Sequence, residues 1–488
     1  MEIFLSAVLG ELTARSMSFI ISKYSTPPLV QAVEMNLERV LLRAQVIIDE
    51  AEGRHVTNQG MLQQLSMLRD AMYQGFYVLD TLRYRAFEED GLGGNEVHNH
   101  SWALSKFSCA KRLCLSSSTS SSTKESQELV AENVLDSLRI LILDASVSVM
   151  LLTTYPRFHR QPYNMHILLG NCMFGRQMEK EMILHFLLST QPSCSRLDKF
   201  DVLPVIGPAN CGKSTLVAHV CNDERVRNHF SQIDFFRHGI FRDEDISVLT
   251  DRCTVRDEQN RKVLIVFEIV GDLNDDLWER LYSLSRKCAA GGSKIIITSR
   301  SDKITKLGTT QPMTLKHLPK EALWYFFKVV TFGGMDPKMH PRLAYVAMEI
   351  AKLLDGSLIA ANVIGGVLRT NFTIQYWCKI LKFMSEGANC HLLTEDKPGF
   401  LRRLGRTTAD VFISSKYQTC STQEELPEIR VQDVLYGDVK PQGTFKALTW
   451  NSPLPPYGCY IHICEIQQPK TKLVKKRRSP NNISIRRG

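Results

Sequence analysis

The sequence predicts a multidomain chain: an N-terminal α-helical bundle, then a P-loop α/β domain, then a helical subdomain. Three observations carry this reading. Apolar residues recur at helical spacing through residues 1–90. Gly207 to Ser214 fits G-x-x-x-x-G-K-[ST] and sits between an apolar strand and a helix. From about residue 200 to 310, short continuous apolar runs alternate with helical stretches, the pattern of a doubly wound parallel sheet.

Size and charge bound the alternatives. The 488 residues accommodate two to four domains at ~100–200 residues each. Hydrophobic content of 44% with 23% charged residues is ordinary for a globular protein. No uncharged apolar run is long enough to cross a membrane, and the apolar start Ile3 to Leu9 lies between Glu2 and Glu11, without the basic flank of a signal peptide. Neither a membrane span nor a leader is predicted. The thirteen cysteines are scattered and never spaced C-x-x-C, which argues against a disulfide framework and a zinc ribbon. Cys459, His462 and Cys464 lack a fourth ligand, so a structural reading is preferred there to a metal site. A reducing compartment follows. The net charge of +9 resides in the tail: from Lys470 onward eight Lys and Arg stand with no acid, and the body is near neutral. No specific nucleic-acid partner is therefore predicted, and the Lys475-Lys476-Arg477-Arg478 run leaves the nucleus open beside the cytoplasm.

Residues 1–114 read as the helical N-terminal domain. Val33, Leu37, Val40, Leu41, Ala44, Ile47, Ile48 and Ala51 form one stripe; Leu62, Leu65, Leu68, Met72, Phe76, Leu79 and Leu82 form the next. Stripes of this kind pack antiparallel into a small bundle, with self-association as the alternative use of such a surface. Residues 115–124 are a Ser-rich linker. Ser122 and Glu125 have capping-box spacing ahead of a helix near 125–153, inside a connecting segment over 125–170. Its run Leu138, Ile140, Leu141, Ile142, Leu143 is too continuous for one exposed face and predicts burial.

Residues 171–310 form the P-loop α/β nucleotide-binding domain. Asp201 to Ile206 is the strand, although Pro204 removes a ladder donor, and Ser214 to Val220 opens the helix. In such a loop backbone N–H groups wrap an anion, so Gly207, Asn210, Cys211, Gly212, Lys213, Ser214 and Thr215 are the candidate nucleotide contacts. Lys213 would reach the β- and γ-phosphates and Ser214 would ligate Mg²⁺. Val263 to Phe267 and Lys294 to Thr298 read as buried parallel strands. Glu268, at the end of the first, is placed to hold Mg²⁺ directly or through water, while Ile269 can neither act as a base nor orient water. Asp272, Asp275 and Asp276 read as solvated loop charges. Arg300, after the second strand, is at the edge where open sheets bind ligands, either reading a terminal phosphate or simply exposed. Residues 311–385 are the helical subdomain; residues 386–488, with the basic tail, have weak periodicity and no assigned fold.

The order of these segments resembles a plant NB-ARC disease-resistance protein of the coiled-coil, Rx-type N-terminal class, over roughly residues 1–385. The Walker A match is Gly207 to Thr215, and Leu264 to Val270 is similar to Walker B, with Glu268 and Ile269 where two aspartates are usual. Gly292 to Arg300 matches the third family motif, which implies a sensor role for Arg300. Leu315 to Leu318, through Phe326 and Phe327, resembles the next helical motif; Gly356 to Ala360 resembles the G-L-P-L-A turn without its proline. Leu68 to Tyr73 resembles the N-terminal bundle, with Gln74 to Asp80 in place of the acidic motif. Neither a Met-His-Asp motif nor leucine-rich repeats follow residue 400.

The resemblance implies a truncated or divergent member: a switch binding ADP or ATP with Mg²⁺, with at most slow ATPase activity, acting in innate immunity. It implies partners among other immune receptors or signalling proteins, met through the N-terminal helices. Two further readings stay open. One is a P-loop NTP hydrolase, against which stand Ile269 and the lack of an Asn-Lys-x-Asp guanine motif. The other is a helper or decoy scaffold that binds no nucleotide and pairs with intact receptors.

Overall fold

The computed structural model describes residues 28–54, 56–84, 122–156, 173–189, 201–209, 211–238, 262–269, 275–288, 291–354, 356–385, 410–420, 427–430, 433, 443–451 and 459–467. Asn210, Asp272, the basic tail and most of the Ser-rich stretch lie outside the described residues. The chain divides into two compact units, residues 1–393 with 452–458, and 394–451 with 459–488.

Helices α1 (Pro28–Glu52), α2 (Gln59–Tyr84) and α3 (Ser122–Asp144), followed by the short α4 (Ser146–Leu152), pack together at the N-terminal end of the first unit. Their shared core holds Leu37, Leu41 and Ala44 of α1, Leu65, Leu68 and Met72 of α2, and Val134, Leu135 and Leu138 of α3. These are the positions at which helical periodicity places apolar side chains. Two expectations change here. Ser122 and Thr123, read as the end of the linker, open α3, whereas the helix expected near 125–153 does pack into the core. The run at 138–143 does not bury as a block: Leu138 is buried while Ile140 and Leu143 are exposed.

Next come α5 (Gln177–Leu188) and a five-stranded sheet of β1 (Asp201–Ile206), β2 (Gln232–His238), β3 (Val263–Ile269), β4 (Lys294–Ser299) and β5 (Met313–Thr314). Strand order is β2-β3-β4-β1-β5, every pair parallel. Helices α6 (Lys213–Cys221), α7 (Glu224–His229) and α8 (Asp275–Cys288) alternate with the strands. The side chains of β1 and β4 are buried throughout, which is why they read as unbroken apolar runs. Lys294 is a buried exception with a stated use: its ammonium donates to the carbonyls of Phe186 and Ser189, closing the C-terminal end of α5.

Pro204 costs the sheet no hydrogen bond. Gly207 N–H donates toward β4 (Ser299 O, 3.3 Å), whereas Val202 N–H donates to Thr309 Oγ1 (2.7 Å) on the β5 side. By strand alternation Pro204 N faces the β5 side too. There β5 pairs only with Val205 and Ile206, and Gly308 packs on the proline ring, where a Cβ would come within 2.4 Å of Pro204 Cγ.

The helical subdomain is α9 (Lys320–Phe332), α10 (Pro341–Lys352), α11 (Leu358–Thr370) and α12 (Ile374–Ser385), around buried Trp324, Phe327, Phe332 and Trp377. Trp377 Nε1 donates to Leu368 O and Asn371 O, both at 3.0 Å, satisfying carbonyls at the end of α11. In the second unit β6 (Asp410–Cys420), β7 (Thr444–Asn451) and β8 (Cys459–Gln467) form an antiparallel sheet in the order β6-β8-β7, where sequence periodicity gave no assignment.

Candidate functional site

The site is assembled at the C-terminal edge of the parallel sheet. Register places Ile206, Ser299 and Ile269 in one row across β1, β4 and β3, so the loop after β1, Arg300 after β4 and Glu268 near the end of β3 reach the same edge.

Gly207 and Gly212 shape the loop. A Cβ on Gly207 would lie 2.5 Å from Leu315 O and 3.0 Å from Cys211 Sγ, so the chain passes too close for any side chain. Gly212 stands at φ +92°, left-handed space that favours glycine, and begins α6 as its N-cap. Cys211 has its side chain buried, so what it offers a ligand is its backbone. Ser214 is exposed on the first turn of α6 and Thr215 is half-buried behind it. A helix N-terminus with such a loop has N–H groups and dipole directed at an anion.

Lys213 is folded onto its own loop, its ammonium donating to Gly207 O (2.7 Å) and Pro208 O (2.6 Å) and lying 3.9 Å from Cys211 Sγ. Its pKa is pushed below the ordinary lysine value, first by burial; Cys211 and Glu268 oppose that, and Arg300 adds to it. Arg300 and Glu268 thus both act electrostatically on Lys213. Glu268 is half-buried and Arg300 exposed.

A residue that spacing did not single out completes the loop's support. Arg176, buried just before α5, donates to Cys211 O (3.3 Å) and to Lys316 O and pairs with Glu179 (3.0 Å), clamping the loop to the segment after β5. Gly175 at φ +65° aims it. A Gly-Arg pair ahead of a helix was the available signal, but the distance of 35 residues to Cys211 fits no local pattern. From the helical subdomain, Leu358 at the start of α11 comes within 4.0 Å of where a Gly212 Cβ would stand. Ser357 caps that helix, its Oγ accepting from Ala360 N–H at 3.2 Å.

Among the described residues no cluster of three His, Cys, Asp or Glu assembles. One hydroxyl and one carboxylate, Ser214 and Glu268, suit Mg²⁺, which keeps waters and shares its shell with phosphates.

No family model matches the chain. Curated relatives do. Disease resistance protein RGA2 of Solanum bulbocastanum is 28% identical over 218 residues, 40% of this chain and 22% of that protein. RPP13-like protein 1 of Arabidopsis thaliana, named for disease resistance, is 23% identical over 368 residues, 71% of this chain and 34% of that protein. The chain is a relative of plant disease resistance proteins. The likeness supports an NB-ARC-type resistance protein, and the matches span about a fifth to a third of those two relatives' own length. Among solved structures, Caenorhabditis elegans PCH-2 overlaps 43% of this chain and 69% of its own at 12% identity and a TM-score of 0.25, too loose to bear on the resistance-protein relative's fold. No described helix of this chain is long and apolar enough to cross a membrane.

Proposed function

We propose that this chain is an ADP- or ATP-binding signalling switch of plant defence, with at most slow hydrolysis. One observation carries the reading: the phosphate-type loop, Lys213, Glu268 and Arg300 converge at one sheet edge, and α11 of the helical subdomain reaches the same loop. The loop N–H groups and Lys213 would hold the phosphates, Lys213 exchanging its own loop carbonyls for phosphate oxygens. Ser214 and Glu268 would hold Mg²⁺, and Arg300 would contact the terminal phosphate as a charge-assisted donor. The bound nucleotide would supply the charge that orders the loop against α11. Ile269, apolar and buried, leaves the end of β3 without a second carboxylate to position water, which supports binding over turnover. The helical N-terminal segment is the surface proposed to meet other immune receptors or signalling proteins, in the cytoplasm or the nucleus.

Lys213's contacts favour a second reading, a scaffold that binds no nucleotide, because the ammonium is already satisfied by Gly207 O and Pro208 O. One experiment separates the two. Denaturing the purified chain and resolving the released nucleotide by anion exchange should give near-stoichiometric ADP, and Lys213→Ala should lose it and lower the melting temperature. An empty protein that also fails to bind added ADP or ATP overturns the switch and leaves the scaffold.

A further inference from the structure

We propose that Cys420 and Cys459 form a reversible cross-strand disulfide, which staples one end of the β6–β8 pair in the second unit under oxidising conditions. The inference does not depend on nucleotide binding.

Register brings the two cysteines together. Cys420, the last residue of β6, stands directly opposite Cys459, the first residue of β8. Directly opposed residues of an antiparallel pair lie about 4.5 or 5.5 Å apart between Cα atoms and belong to one face of the sheet. Both separations fall inside the range of about 4.4–6.8 Å that a disulfide spans without backbone movement. Cys464, by contrast, is set opposite Ile413 on one neighbour and Phe445 on the other, so register gives it no cysteine to join. Spacing along the chain conceals the pair, because β7 and its connections separate Cys420 from Cys459 in sequence.

The fold has a use for a bond at this point. Among the described residues the second unit's buried apolar cluster is Cys459 and Ile461, with Leu448 packed against it, and a core that small gains most from a covalent link. The β6–β8 ladder is also broken. Its register shifts between Ser414 and Gln418, so the final stretch is held by Gln418 opposite Ile461, Thr419 opposite Tyr460 and Cys420 opposite Cys459. A link there pins the register beyond the bulge and closes residues 421–458, β7 included, into a loop, which takes freedom from the opened chain. In a reducing compartment such a bond answers to oxidant instead of standing permanently. Glutathione disulfide suffices as the oxidant. One cysteine thiolate attacks a glutathione sulfur, the S–S bond breaks and one glutathione thiolate leaves; the second cysteine thiolate then attacks the protein sulfur of the mixed disulfide and expels the other. The two cysteines lose two electrons, glutathione disulfide gains them, and the two thiol protons end on the released glutathiones.

The test equilibrates the full chain in buffers from reduced to oxidised glutathione, alkylates it with iodoacetamide and digests it with trypsin without reductant. Mass spectrometry should find peptide 417–430 joined to peptide 447–470, two hydrogens lighter than the separate thiol peptides, with fragmentation placing the bond at Cys459 and not at Cys464. Cys464→Ser should keep the link, Cys420→Ser and Cys459→Ser should each abolish it, and dithiothreitol should reverse it. Thermolysin cleavage of the native chain within residues 394–451 should slow about tenfold or more on oxidation, and Cys420→Ser should remove that difference. A link absent at every glutathione ratio, one no more abundant than in the urea-unfolded chain, or one that leaves the cleavage rate unchanged would each overturn the staple.

Discussion

Gly207 and Arg176 show what a motif contains and what it omits. The glycine belongs to the pattern because the backbone passes Leu315 O with no room for a methyl group. Gly207→Ala should therefore cost roughly 1–3 kcal/mol through overpacking against backbone, measured by urea unfolding, and should weaken nucleotide binding beyond that loss because the loop itself must shift. Stability equal to wild type would mean that the Leu315 segment yields freely. Arg176 was invisible because it reaches the loop through tertiary structure: its hydrogen bonds to Cys211 O and Lys316 O join segments far apart in the chain. Glu268 and Arg300 were legible for the opposite reason, since each follows a short apolar run whose end defines the sheet edge.

Helix and strand periodicity told most where one face is wet and one dry. The stripes of α1 and α2 predicted their buried residues, with Val33, Ile47, Phe76 and Leu82 only partly covered. Periodicity failed at α3, where continuous apolar sequence covers both the inner face and the exposed one, and it failed at β6 to β8, where strands carry no clean alternation. It also says nothing of charges between helices. Glu52, near the end of α1, is enclosed with Arg69 of α2 and residues of α5 in a small cavity. Burial raises its pKa to about 7, Arg69 opposing and Asp49 adding; Asp49 itself is raised to about 6, again by burial. Carboxyls with raised folded-state pKa values bind more protons folded than unfolded, so stability should fall as pH rises from about 4.5 to 7 and level above that. Glu52→Gln should flatten this slope, by urea midpoints across the window. A mutant slope equal to wild type would place Glu52 in water.

Across the first unit, the N-terminal helices and the helical subdomain share one core. Leu318, Ala322 and Tyr325 belong to the same cluster as α1 to α3, and the rings of Tyr73, Phe174 and Tyr325 lie with centroids 5.1–6.1 Å apart. A buried charge fastens the contact. Asp80 of α2 accepts from Trp324 Nε1 (2.8 Å) and Lys328 Nζ (2.6 Å) of α9, and Lys328 lies 5.2 Å from the Phe76 ring. Removing one member of such a pair leaves the other buried and uncompensated, so Asp80→Ala should destabilise the chain by about 3–5 kcal/mol. The same helical subdomain reaches the phosphate-type loop through Leu358, which gives the two contacts a common mechanical element. If nucleotide favours the state in which α9 is docked on α2, linkage requires the reverse: loosening that dock must weaken nucleotide binding by the same factor. Asp80→Ala should then bind ADP several-fold more weakly in calorimetry, within the ordinary coupling range of about 1–3 kcal/mol, although Asp80 is not among the loop contacts. Unchanged ADP affinity in a variant whose α2 amides exchange faster would show two independent modules, and the switch would have to work through α11 alone.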